Sequence, residues 1–223
     1  MTYRDKNSIT SHKASLAVLE AQAMVKMKLL ISMFCSVIIS LCIVGCGNKS
    51  SSSDSGPVNF SQNTLDSDLV WAVNGGMDQI YNDNLAGHVV GAQNITASCP
   101  LGGTVLITGT MGTTSNTGIT TVDLTYTMTG CKITKTSTGG TSVSLTLTGV
   151  MTHTGSFNSS TNYKSINNQS ASLTMVGTAH RSGYNDAAVN NVNCTYSGAS
   201  TSSGTGGSVS GSICGNTTVS WTY

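Results

Sequence analysis

Charged side chains are what this sequence has least of. Asp, Glu, Lys and Arg make up 9% of its 223 residues, against about 25% in an ordinary soluble protein. Glu20 is its one glutamate, proline occurs twice, and aromatic residues reach 5%. With a formal net charge of +1, no basic field exists to hold nucleic acid, and no acidic tail is present. So few charges also exclude a coiled coil and a helical repeat, whose exposed positions need them. What is abundant is small or hydroxylic: 25 glycines in all, and 28 Thr with 19 Ser between Leu101 and Tyr223. Threonine favours strands and keeps an exposed sheet face wet. The composition points to a β-rich extracytoplasmic domain.

Residues Leu29 to Val44 form an unbroken run of 16 apolar or small residues behind Lys26 and Lys28. A basic n-region and a short h-region make a secretory signal, whereas a membrane span needs about 20 residues. The run ends in Ile43-Val44-Gly45-Cys46, which resembles the lipobox of bacterial lipoproteins. That resemblance implies cleavage before Cys46, acylation of Cys46 (palmitate among the chains), and a mature protein held on a membrane by lipid. Valine at the middle position departs from the residue this family favours. Lipoproteins kept at the inner membrane of Gram-negative bacteria carry Asp after the cysteine. Here Gly47 stands there, so the resemblance implies delivery to the outer membrane.

The following stretch, Gly47 to Gly56, reads as a polar flexible tether. A signal starting at Met24 or Met27 has 22 or 19 residues, within the usual range of about 15–30. Residues 1–23 are therefore expected to lie upstream of the working signal. The expected organisation is a signal at 24–45, the lipidated cysteine and tether at 46–59, a helical segment at 60–98, and an antiparallel β domain at 99–223. The last two should pack as one domain.

Of seven cysteines, Cys35 and Cys42 fall in the signal and Cys46 is the anchor, which leaves Cys99, Cys131, Cys194 and Cys214. Four cysteines in an exported chain read as two disulfides with three possible connectivities. Sequential pairing, Cys99–Cys131 and Cys194–Cys214, is favoured because it joins neighbouring strands of a meander. A four-cysteine zinc site is disfavoured, since no Cys-x-x-Cys pair occurs.

Helical spacing of Leu65, Leu69, Val70, Ala72, Val73, Met77, Ile80 and Tyr81 predicts a helix. Asn63 can cap it, with Asp66 and Asp68 in the first turn. Gly75-Gly76 is expected to end or kink it, with a short second turn from Met77 to Leu85.

From Cys99 the period becomes two. The apolar faces run Val105, Ile107, Gly109, Met111; then Val122, Leu124, Tyr126, Met128, Gly130; then Val143, Leu145, Leu147, Gly149, Met151; then Leu173, Met175, Gly177, Ala179. Threonines occupy the opposite faces, the pattern of an antiparallel sheet with one wet side. The prediction is a mainly β protein with an N-terminal helix (α+β): an antiparallel meander, a sandwich, or a coiled or partly closed barrel of about seven strands. The glycine on the apolar face of each of these strands is expected to let the sheet coil around the helix or close on itself. Cys99-Pro100-Leu101-Gly102-Gly103 at the head of the meander loosely resembles the opening of β-rich, Ser/Thr/Gly-rich bacterial envelope lipoproteins, a likeness that implies no activity.

Chemistry is sparse. No Gly-x-Ser-x-Gly elbow, P-loop or dinucleotide fingerprint occurs. His153 and His180 stand four and three residues past their strand glycines, so they should face opposite sides. Asp123 sits on a polar face without an acidic neighbour. The Thr-x-Thr rows resemble the arrays of ice-binding proteins, but lack their constant repeat, and strand propensity accounts for them. The final Val219-Ser220-Trp221-Thr222-Tyr223 resembles the C-terminal signal of outer-membrane β-barrels, without the aromatic girdles a barrel needs.

The expectation is a non-enzymatic envelope lipoprotein with no catalytic residue, metal or cofactor. Its partners would be the membrane, through the lipid on Cys46, and an envelope protein or surface ligand, not nucleic acid. The alternative is a periplasmic carrier of a lipid or other apolar ligand, with Met111, Met128, Met151 and Met175 as an adaptable lining. Lesser alternatives are an outer-membrane β-barrel or an unidentified enzyme.

Overall fold

A computed structural model describes residues 57–223, apart from 115–117, 159–160, 162, 204–205, 218–220 and 223. The signal, the lipobox with Cys46 and the tether up to Gly56 lie outside the described residues.

Helix α1 spans Gln62–Asn84, 23 residues. Its N-cap is Ser61 rather than Asn63: the Ser61 hydroxyl accepts from the Thr64 amide at 3.2 Å. Asp66 and Asp68 consequently fall beyond the first turn, and both are buried. Gly75-Gly76 does not stop the helix, which continues to Asn84. The two glycines are instead where the sheet presses on it. A Cβ on Gly76 would lie 2.4 Å from Ile133 Cδ1, and one on Gly75 would lie 2.8 Å from Lys135 Cε. This close packing offsets a propensity cost of about 2 kcal/mol. Residues 66–74 are buried without a break. Nine residues turn the helix through all its faces, so α1 is a core helix.

The strands are β1 (Gly91–Ser98), β2 (Thr104–Thr114), β3 (Ile119–Thr136), β4 (Thr141–Asn158), β5 (Tyr163–Arg181), β6 (Ala187–Ser203), β7 (Gly206–Ile213), β8 (Asn216–Thr217) and β9 (Trp221–Thr222). They form one antiparallel meander in sequence order, with β8 and β9 both pairing along the free edge of β7. The first strand pairs with β2 alone, so the sheet is open and not a closed barrel. Nine segments replace the expected seven. The extra one at the front, β1, lies inside the stretch expected to be helical, because its alternation is mostly polar and buries only Gln93, Ile95 and Ala97 in part.

Strand β5 shows how far the sheet bends. Near its two ends it carries Lys164 and Arg181, which contact Asp78 and Asp68 of α1. Ten helical residues cover about 15 Å, whereas 17 residues of straight strand cover about 56 Å. The reach of two long side chains closes only part of that gap, so β5 must curve over the helix. Register shifts at Ser170/Leu173 and Leu173/Met175 place the bend mid-strand.

The apolar faces follow the sequence as expected, and Met111, Met128, Met151 and Met175 are buried in one core with the helix. The outer face is hydroxylic. One in-register row runs Thr108, Thr125, Thr152, Gln169, Ser197, Ser212 across β2 to β7. Both favoured disulfides, Cys99–Cys131 and Cys194–Cys214, are formed.

Candidate functional site

The interior of the curled sheet holds a polar relay. Asn74 Nδ2 donates to the Val70 carbonyl and to the Tyr196 hydroxyl, both at 2.9 Å. A carbonyl only accepts, so this fixes the amide's orientation and leaves Asn74 Oδ1 as an acceptor. Asn168 Nδ2 donates to that oxygen at 2.7 Å. Asn168 Oδ1 in turn faces His153 Nδ1 at 2.7 Å, so Nδ1 must carry the proton and Nε2 is a bare acceptor. The relay thus joins α1 (Asn74), β6 (Tyr196), β5 (Asn168) and β4 (His153).

Around His153 lie Tyr81, Phe157 and Tyr126. The Tyr81 and Phe157 rings stack at 4.3 Å, and Tyr126 meets His153 edge-on at 5.4 Å. His153 Nε2, the Tyr126 hydroxyl and Asp78 Oδ1 are buried and have no hydrogen-bond partner among the described residues. Burial holds His153 below its ordinary pKa, opposed more weakly by the Asn168 contact. The same cause raises the Tyr126 and Tyr196 hydroxyls far above theirs.

Three of the four cations among the described residues point inward. Bulges explain why sequence periodicity misses Lys135 and Lys164, whereas Arg181 continues the inward parity of Leu173, Met175 and Ala179. On β3 the inward parity runs through Val122, Leu124, Tyr126 and Met128, then shifts between Met128 and Cys131 to Cys131, Ile133 and Lys135. On β5 the inward set Lys164, Ile166, Asn168 and Ser170 switches to Leu173, Met175 and Ala179, with Arg181 following. Arg181 grips buried Asp68 with both arms, Nε to Oδ2 at 3.1 Å and a terminal nitrogen to Oδ1 at 2.6 Å. Burial still raises the Asp68 carboxyl, and raises Asp66 as well. Lys164 pairs with Asp78. Lys135 has no ion-pair or hydrogen-bond partner among the described residues.

Two cavities meet at Lys164. One, about 520 Å³, is lined by Tyr81, His88, Met111, Phe157 and Tyr163 among others. The second, about 320 Å³, lies between Trp71, Gly75, Asp78, Lys135, Lys164 and Val209.

The residues singled out from sequence do not converge. The four domain cysteines are consumed in disulfides. His153 is buried, whereas His180 is exposed on the opposite face and bonded to Asp186 at 2.7 Å. Asp123 is exposed. No three His, Cys, Asp or Glu side chains gather as a metal site among the described residues. His153 is oriented by an amide, not by the carboxylate that a hydrolytic triad uses. What the fold defines is an open antiparallel meander curled around a buried helix. Compared with known families, curated proteins and solved structures, the chain matches none.

The relay makes a pH prediction. Unfolded, a histidine titrates near 6.5, and folded His153 titrates lower. The stability it supports is therefore complete above about pH 6.5 and falls as acid is added toward its folded pKa. The slope is at most about 1.4 kcal/mol per pH unit. Asp66 and Asp68, whose folded pKa values are raised by burial, act with the opposite sign. They are present in both proteins, so the difference between wild type and His153→Asn isolates the histidine. Urea unfolding between pH 5 and pH 8 should show the acid slope in wild type and its loss in the variant. Parallel profiles would refute the assignment.

Proposed function

We propose that this chain is a lipid-anchored lipoprotein of a bacterial envelope, directed to the outer membrane, whose β domain is a non-catalytic interaction module. The observation that carries this reading is Ile43-Val44-Gly45-Cys46 closing a 16-residue apolar run, with Gly47 following it. Two disulfides in the domain agree with an oxidising compartment. The anchor would be the acyl chains on Cys46, at about 0.8 kcal/mol per buried CH₂; among the described residues no helix is long and apolar enough to cross a membrane. With α1 filling the concave side, the in-register Thr and Ser rows of the outer face, interrupted by few charges such as Asp123 and Lys132, offer a broad hydroxylic surface for an envelope protein or a surface ligand.

The test is Cys46→Ser in the producing cell. Wild type should incorporate labelled palmitate and partition into detergent; the variant should do neither. Unchanged partitioning of the variant would sink the reading. Protease treatment of intact and permeabilised cells then tells which side of the outer membrane presents the domain.

A further inference from the structure

The half-buried Lys135 occupies an inward register position of β3, in line with Cys131 and Ile133. Inward charges are costly unless matched. Arg181 and Lys164 are matched by Asp68 and Asp78; Lys135 has no such partner among the described residues. Its side chain lies across α1 at Gly75, where a Cβ would come within 2.8 Å of Cε and 3.2 Å of Nζ. The absent side chain at Gly75 is therefore what lets the lysine lie across the helix at the 320 Å³ cavity.

Each wall of that cavity has a distinct chemistry. Lys135, Lys164 and Asp78 leave it with one uncompensated positive charge. Asp78 Oδ1 is sealed from solvent, so the carboxylate meets the cavity on its Oδ2 side, where Lys164 also donates. Trp71 and Val209 supply apolar surface. Asn74 is fully engaged in the relay and serves as wall only. A complementary molecule carries one anionic group for Lys135, at least one hydroxyl for Asp78, and a C–H face for Trp71. The volume stands at the lower end of the roughly 300–1,000 Å³ of small-molecule sites, which fits one small ring.

We propose that this cavity binds a small hydroxylated carboxylate of the sugar-acid class, with Lys135 as its counter-ion. The carboxylate takes the charge that the fold leaves unmatched, and a hydroxyl donates to Asp78 Oδ2 alongside Lys164. The site is independent of the lipid anchor.

The experiment is calorimetric titration of the full-length chain in detergent with D-glucuronate, alongside D-glucose, which keeps the hydroxyls without the charge, and acetate, which keeps the charge without the hydroxyls. Glucuronate should bind at least about 10-fold more tightly than either, and Lys135→Met should weaken it about 10-fold or more. Lys132→Met, on the same strand but facing out, should bind as wild type. Trp71 fluorescence should respond to glucuronate, and Trp71→Phe should abolish the response. Should Lys135→Met fail to fold, Gly75→Ala carries the same expectation, because its methyl displaces the lysine while favouring the helix. No binding of glucuronate, equal affinity for glucose or acetate, or wild-type affinity in the Lys135 variant would each overturn the proposal.

Discussion

Gly177→Ala should cost the domain at least about 3 kcal/mol, a large share of the 5–15 kcal/mol that holds a typical domain together. Gly177 faces the concave side of β5, opposite Leu145 of β4 and Val189 of β6. A Cβ there would lie 1.9 Å from the Ser144 carbonyl oxygen and 3.0 Å from Leu145 Cα. Both obstacles are backbone, so no rotamer change relieves them. The strand would have to move by more than an ångström, and β5 is held on both sides by long ladders. The clashing carbonyl belongs to the residue just before the register partner, and the same holds at Gly109 against Asp123 and at Gly211 against Ser197. The recurrence ties these glycines to the coiling of the sheet rather than to turns. Gly139→Ala is the control, since its Cβ would meet nothing nearer than Ser137 Oγ at 3.7 Å; it should stay within about 0.5 kcal/mol of wild type. Urea unfolding of the two variants decides the point. A loss below about 1 kcal/mol at Gly177 would mean that the sheet does not need that approach.

The legible and illegible parts of this chain divide along physical lines. Strands with one dry and one wet face carry their answer in period two, and Val105, Ile107, Gly109 and Met111 all point where their spacing says. An edge strand such as β1 buries little, so Gly91-Ala92-Gln93-Asn94 has no apolar rhythm to read. Gly75-Gly76 reads as a helix stop by local propensity, yet tertiary contact with Ile133 and Lys135 overrides it. Part of the charged interior was hidden for a different reason. Extending the Val122–Met128 alternation past Gly130 turns Lys132 inward and Lys135 outward, the reverse of the fold. The shift at Met128/Cys131 swaps them, and one extra residue in a strand leaves no hydrophobic signal when its neighbours are Thr and Gly. The relay from Asn74 to His153 joins residues far apart in the chain, where no spacing rule applies.

Replacing Cys99 and Cys131 together by alanine should cost about 4 kcal/mol, and replacing Cys194 and Cys214 about 3. Chain entropy sets these values, because the bridges span 32 and 20 residues and the loss grows only with the logarithm of loop length. Location separates them further. Cys99 and Cys131 are 4% and 0% exposed and sit at the β3 bulge. There the Cys99–Gly103 loop docks through Lys132 N to Gly102 O at 2.8 Å and Leu101 N to Lys132 O at 3.2 Å. A Cβ on Gly103 would lie 2.0 Å from the Gly130 oxygen, so the loop fits only when drawn tight. Loss of the bridge should therefore free the loop as well as loosen the unfolded chain's constraint. Amide exchange at Leu101 and Lys132 should quicken before global unfolding, while amides of β5 stay protected. Cys194–Cys214 joins β6 to the end of β7, near the sheet edge, and its removal should fray β7 and β8 alone. If the first pair instead cost 1 kcal/mol or less with exchange at Lys132 unchanged, the β2–β3 hairpin would already be organised in the unfolded chain. The corner would then be held by its backbone hydrogen bonds, and the parity shift that turns Lys135 inward would survive reduction.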